Sequence, residues 1–128
     1  MEAKNITELT DKERYEYFIE QCIQHKAIWL LQVQEGMYAM FEGDNKKQYI
    51  PVWPGQEFAD AYATDDWEGY QSERMDLKEF LDWMEELHDD QIFIGVFPGT
   101  GMQAIPVEPF LLKTQLIKAR KATNQPKL

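Results

Sequence analysis

The chain has 128 residues, 44% apolar and 28% charged, with a net charge of −10. That length supports one domain with a core large enough to need no staples. No apolar run approaches the ~18 residues needed to span a bilayer, and the acidic balance lacks the basic footprint that nucleic-acid backbones require.

The N-terminal stretch MEAKNITELTDKERYEYF is polar and acidic, without a signal-peptide layout, so a cytoplasmic location is expected. The first helix is predicted over Thr10–Gln24. Thr10 and Glu13 have the spacing of a capping box, in which the two side chains satisfy the first free amides. Tyr15, Phe18, Ile19, Cys22 and Ile23 fall on one helical face. Cys22 is the single cysteine, which excludes an internal disulfide. Inside that stripe it reads as a small buried hydrophobe; a nucleophilic thiol needs an exposed, electropositive setting.

AIWLLQV (27–33) and MYAMFEG (37–43), separated by a short Gly-containing connector, read as a hairpin. Both faces of the first run are mostly apolar, which predicts a strand covered on both sides. DNKKQ (44–48) is a polar turn. YIPVW (49–53) reads as a third strand. Proline has no amide donor, so Pro51 predicts an edge strand or a bulge there. Pro54 ends the strand and turns the chain into a helix over 55–63, with Phe58, Ala61 and Tyr62 at helical spacing.

Residues 64–76 form a connection with a short strand at 70–75. Asp76 and Glu79 predict a cap for a helix over Leu77–His88, whose stripe is Leu77, Phe80, Leu81, Met84 and Leu87. Trp83 lies off that stripe, and Asp89 and Asp90 form the turn that follows. QIFIGVFP (91–98) is a buried strand, PGTG (98–101) a tight turn, and MQAIPV (102–107) a returning strand. Pro109 suits the first position of the last helix. Leu112, Leu116 and Ala119 form its inner face, with Phe110 and Ile117. The tail ATNQPKL frays.

This order predicts an α+β fold: a single domain over 1–128 with its ordered core at about 10–120. About four helices flank a largely antiparallel or mixed sheet of about five or six strands.

Tyr15, Phe18, Trp29, Pro51-Val52-Trp53-Pro54, Phe58-Ala59, Trp67, Phe80-Leu81, Val96-Phe97-Pro98 and Val107-Glu108-Pro109 occur in this order. With these pieces, residues 12–117 resemble a bacterial family catalogued as a domain of unknown function, number two thousand seven hundred and fifty in that series. The resemblance implies no activity and no catalytic residues. A looser likeness, to the N-terminal domain of the enhanced-serine-sensitivity protein B family, implies an α+β fold alone.

No catalytic constellation, metal site or cofactor motif stands out. His25 and His88 lie on different helices without a His or Cys at ligand spacing. Ser72 is the only serine and has no histidine near it in sequence. The pairs Asp65-Asp66, Glu85-Glu86 and Asp89-Asp90 read as solvated runs, because acid–base work needs carboxylates in contrasting environments. PGTG lacks the phosphate-loop form.

Charge is segregated along the chain. Residues 57–90 carry 13 acids against Arg74 and Lys78, whereas 113–128 carry five bases and no acid. Two functions are compatible with this. In the first, a non-enzymatic protein-binding module, adaptor or immunity-like, uses an acidic face to hold a basic protein. In the second, a small-molecule sensor or enzyme has an aromatic pocket near residues 49–70. The candidate binding residues are Trp53, Asp65, Asp66, Trp67, Trp83, Glu85 and Glu86. A homodimer through an edge strand is a further expectation; a nucleic-acid or membrane partner is not.

Overall fold

The computed structural model describes residues 10–34, 37–42, 47–63, 68–98 and 105–124. In chain order the elements are α1 (Asp11–His25), β1 (Ala27–Gln34), β2 (Met37–Tyr38), β3 (Phe41–Glu42), β4 (Gln48–Val52), α2 (Gln56–Asp60), β5 (Gln71–Asp76), α3 (Leu77–Asp89), β6 (Phe93–Val96), β7 (Ile105–Val107) and α4 (Pro109–Asn124). This is the expected α+β architecture. The strands form two sheets, ordered β2-β1-β5 and β3-β4-β6-β7.

α1 starts as its sequence dictates. The Thr10 hydroxyl accepts from the Glu13 amide at 3.1 Å, and the Glu13 carboxylate accepts from the Thr10 amide at 2.9 Å. The helix ends on Lys26 in the left-handed region, φ 55°. β1 follows directly, and Ile28, Leu30 and Leu31 are fully buried, so both of its faces are covered. β5 pairs antiparallel along it from Ala27–Asp76 to Gln32–Gln71.

The other side of β1 holds the two sheets together. Of the run 37–43, expected as one strand, the described residues 37–42 form two. β2 pairs with β1, while β3 pairs with β4. The changeover is at buried Ala39, whose amide donates to the Leu31 carbonyl. Residues 37–42 therefore form a wedge between β1 and β4. Where the wedge is absent the two strands bond directly: Trp29 and Trp53 exchange N–H···O bonds of 3.0 and 2.9 Å.

β4 is not an edge strand, which corrects the expectation from Pro51. It runs parallel to β6, with Pro51 opposite Gly95 and Val52 opposite Val96. Successive residues of a strand point their backbone groups to opposite sides. The Val52 carbonyl accepts from the Phe97 amide on the β6 side, and Trp53 bonds toward β1. The Pro51 nitrogen thus faces the β3/β1 side, beyond the Tyr49–Phe41 end of the β3 pairing and before the Trp53–Trp29 bridge. Its missing donor meets a gap in the ladder. Pro106 follows the simpler rule: it lies in β7, the last strand of its sheet, and is exposed.

The parallel β4–β6 pair requires a crossover. It contains α2, β5 and α3, so β5 joins the other sheet on the way. All five predicted stripe residues of α3 are buried. Asp76 stands at its N-cap position but makes no side-chain cap bond; its carboxylate pairs with Arg74 instead. α4 starts at Pro109 and buries Leu112 and Leu116 between α1 and α3. Phe110, expected to help that face, is 41% exposed and stacks on His88 with ring centroids 4.0 Å apart. The predicted strand and turn at 98–107 lie partly outside the described residues, at 99–104.

Candidate functional site

The acidic surface is built on α3. Its stripe fixes the helix against β1 and β5, and the opposite side is left to solvent. The exposed positions of α3 are Lys78, Glu79, Asp82, Glu85, Glu86, His88 and Asp89, five of the seven being carboxylates. Among the described residues none of these five has a cation partner. Glu79, Asp82, Glu86 and Asp89 follow one another at helical spacing and so share a face. Asp90 and Gln91 extend the exposed run past the helix end.

Trp83 borders that face. Helical spacing places Glu79 one turn before it and Glu86 one turn after. It is half-buried, and its ring packs on Tyr38 of β2 with centroids 5.3 Å apart. Glu85 and Glu86 are exposed as expected. Asp65, Asp66 and Trp67 lie outside the described residues. Trp53 is 0% exposed and belongs to the core, where its ring packs against Tyr62 at 5.5 Å. The structure therefore brings Trp83, Glu85 and Glu86 onto one helix and places Trp53 away from the surface.

A second constellation lies at the C-terminal ends of the parallel strands β4 and β6, the end where ligands bind in many α/β sheets. Phe97, fully packed against Phe58 (5.0 Å) and Tyr17 (6.0 Å), has φ 44°. A bulky residue in the left-handed region carries strain. Its carbonyl accepts from Arg14 Nε at 3.2 Å, and the next one, of Pro98, accepts from the Tyr62 hydroxyl at 3.0 Å. Burial raises the Tyr62 phenol pKa, against the lowering influence of Arg14. Burial, then Glu57 and Glu20, raise that of Tyr17. Trp53 Nε1 is buried here without a hydrogen-bond partner among the described residues. Sequence reasoning passed over Arg14, Tyr17 and the Phe97 conformation; the Phe-Pro-Gly turn was the only local signal for them.

The remaining candidates are unremarkable. Cys22 is fully buried, and burial pushes its thiol well above the ordinary range. Ser72 accepts from Gln56 Nε2 at 3.4 Å. His25 contacts Gln21, and His88 stacks on Phe110. Among the described residues no group of three His, Cys, Asp or Glu side chains is arranged to hold a metal ion, and no helix is long and apolar enough to cross a membrane. Clefts open to solvent among the described residues include one of about 770 Å³ between α1 and α4 and one of about 550 Å³ beside Phe93, His88 and Glu108. Neither is lined by Trp53, Phe58 or Tyr62.

Fold and surface together define a small α+β protein with an acid-faced helix and an aromatic cluster closing a parallel strand pair. The chain belongs to the family described as "Protein of unknown function (DUF2750)", which matches residues 15–116. No curated protein matches it.

Proposed function

We propose that this protein is a non-enzymatic binding module, adaptor or immunity-like, whose α3 face holds a basic protein partner. One observation carries the reading: five carboxylates on the solvent side of α3, without a cation partner among the described residues and bordered by the half-buried Trp83. A single exposed ion pair contributes only about 0.2–1 kcal/mol. Several carboxylates acting together steer and orient a cationic partner, and an aromatic anchor supplies the desolvated contact. Exposed charges are screened beyond about 8 Å at physiological ionic strength, so complex formation weakens as salt rises.

The test is affinity capture at low and high salt with the wild-type chain, the E85K/E86K variant and Trp83→Ala. The expected result is a set of basic proteins retained at low salt by the wild type and lost from both variants. Retention indifferent to salt and to charge reversal overturns the reading.

A second reading has its own observation: among the described residues the buried Trp53 Nε1 has no hydrogen-bond partner, and it lies beside the strained Phe97. It supports a small-molecule sensor or enzyme whose ligand meets the ends of β4 and β6. Its test follows the Trp53 indole N–H signal by NMR during a fragment screen. A ligand that moves it supports the reading; an indole signal that no fragment moves removes it.

A further inference from the structure

The groove between α1 and α4 has a volume of about 770 Å³ and a mainly apolar floor. Tyr15, Ile19 and Ile23 of α1 and Gln115, Ala119 and Ala122 of α4 line it. The α4 side continues past the groove: Leu111, one turn before Gln115, is 51% exposed. The Tyr15 hydroxyl donates to the Gln115 side-chain oxygen and ties the two helices together across this floor. Apolar residues held this way on two packed helices form a surface of fixed shape.

The rims carry opposite charge. On α1 the groove is bordered by Lys12, Glu16 and Glu20, all exposed, so that rim is net negative rather than purely acidic. α4 has no acid anywhere between Pro109 and Asn124. Lys118, exposed, lies one turn from both Gln115 and Ala122, and Lys121 follows it. A surface with an apolar centre, one net-acidic rim and one basic rim is complementary to itself after a two-fold rotation about an axis parallel to the helices, as a closed dimer interface must be.

We propose that a second copy of this chain docks on this face. The α1–α4 pair of each protomer stacks on that of its partner as a four-helix layer, with Glu16 and Glu20 against the partner's basic α4 rim. The partner is thus fixed by the charge pattern, because an unrelated apolar helix has no need of both rims. The size of the face sets the strength. Helices of 15 and 16 residues are roughly 23 Å long and pack about 8–10 Å apart, giving a face of roughly 450 Å² per copy. A standard interface buries about 800 Å² per partner, so a face of about half that size fits a weak, reversible dimer.

The test is sedimentation velocity on the full chain over a concentration series, with circular dichroism to verify folding of each variant. The wild type is expected to shift from monomer to dimer as concentration rises. E16K/E20K is expected to weaken dimerisation at least about tenfold, and adding K118E/K121E to recover it. Ala122→Arg, a bulky charge at an exposed groove position, is expected to leave the helical signal unchanged and abolish the dimer. A monomer at every concentration up to the millimolar range overturns the proposal. So does a dimer insensitive to Ala122→Arg, which uses another face such as a strand edge, or a charge reversal that the compensating pair fails to rescue.

Discussion

Phe97 offers a way to separate backbone strain from side-chain packing at one residue. It is 1% exposed, rings from Tyr17 and Phe58 lie against it, and its φ is 44°. Truncation to alanine removes a buried ring and destabilises by about 3–5 kcal/mol. Alanine retains a Cβ, so the left-handed conformation still costs roughly 1–2 kcal/mol. Glycine loses the same ring but releases that strain, against an added unfolded-state entropy of about 0.5–1 kcal/mol. Both backbone bonds, Phe97 amide to Val52 carbonyl and Arg14 Nε to Phe97 carbonyl, survive either change. Phe97→Gly is therefore expected to be more stable than Phe97→Ala by about 0.5–1 kcal/mol, the reverse of the order at an ordinary strand or helix position. Urea unfolding of the two variants measures it, with trimethylamine oxide in all samples if either is marginal. Equal midpoints, or a higher midpoint for alanine at the same slope, refute the strained conformation.

Gln91 is a second left-handed residue, φ 59°, closing α3: its amide donates to the His88 carbonyl and that of Ile92 to Leu87. It is exposed, so Gln91→Gly is expected to raise stability by about 0.5–1 kcal/mol in a urea melt. Trp53→Ala is expected to lose about 3–5 kcal/mol, whereas Trp53→Phe keeps most of the ring and removes a buried donor that has no partner among the described residues; calorimetry should rank Phe well above Ala. Burial raises the Cys22 thiol from its ordinary 9.0, and likewise the phenols of Tyr15, Tyr17 and Tyr62 from 10.0. The unfolded chain ionises first, so it binds fewer protons above pH 9. Stability from these neutral groups is complete below pH 9 and falls as pH rises through that value. Denaturation midpoints should decline from pH 9 to pH 10, and less steeply in Cys22→Ala.

Helices were legible in the sequence because their signals are local. The α3 stripe, the Thr10–Glu13 box and Pro109 each depend on residues within one or two turns. The strands were located but not their partners. In 37–42, an apolar run rich in aromatic residues fits a strand, yet nothing in it records that Tyr38 bonds toward β1 and Phe41 toward β4. Asp76 had cap spacing, but Arg74, two residues away, takes its carboxylate. The Pro51 rule failed for a related reason: a missing donor matters only if a strand lies on that side at that residue, and here the ladder has a gap.

The exposure of the α3 carboxylates was readable because the solvent side of a helix follows from spacing alone. The aromatic cluster was not, since it depends on register. Val52-Trp53-Pro54 and Val96-Phe97-Pro98 are the same pattern, valine, aromatic, proline, written twice in the chain. Parallel pairing sets Val52 opposite Val96, so the two tripeptides end β4 and β6 at one level. Proline after each aromatic residue removes the amide that would extend the ladder. The carbonyls left at that edge then need donors from elsewhere, and Arg14 of α1 and Tyr62 beyond α2 supply them. The repeated tripeptide thus makes the end of the strand pair a junction for α1, the α2 corner and both strands. Neither copy of the motif shows this alone.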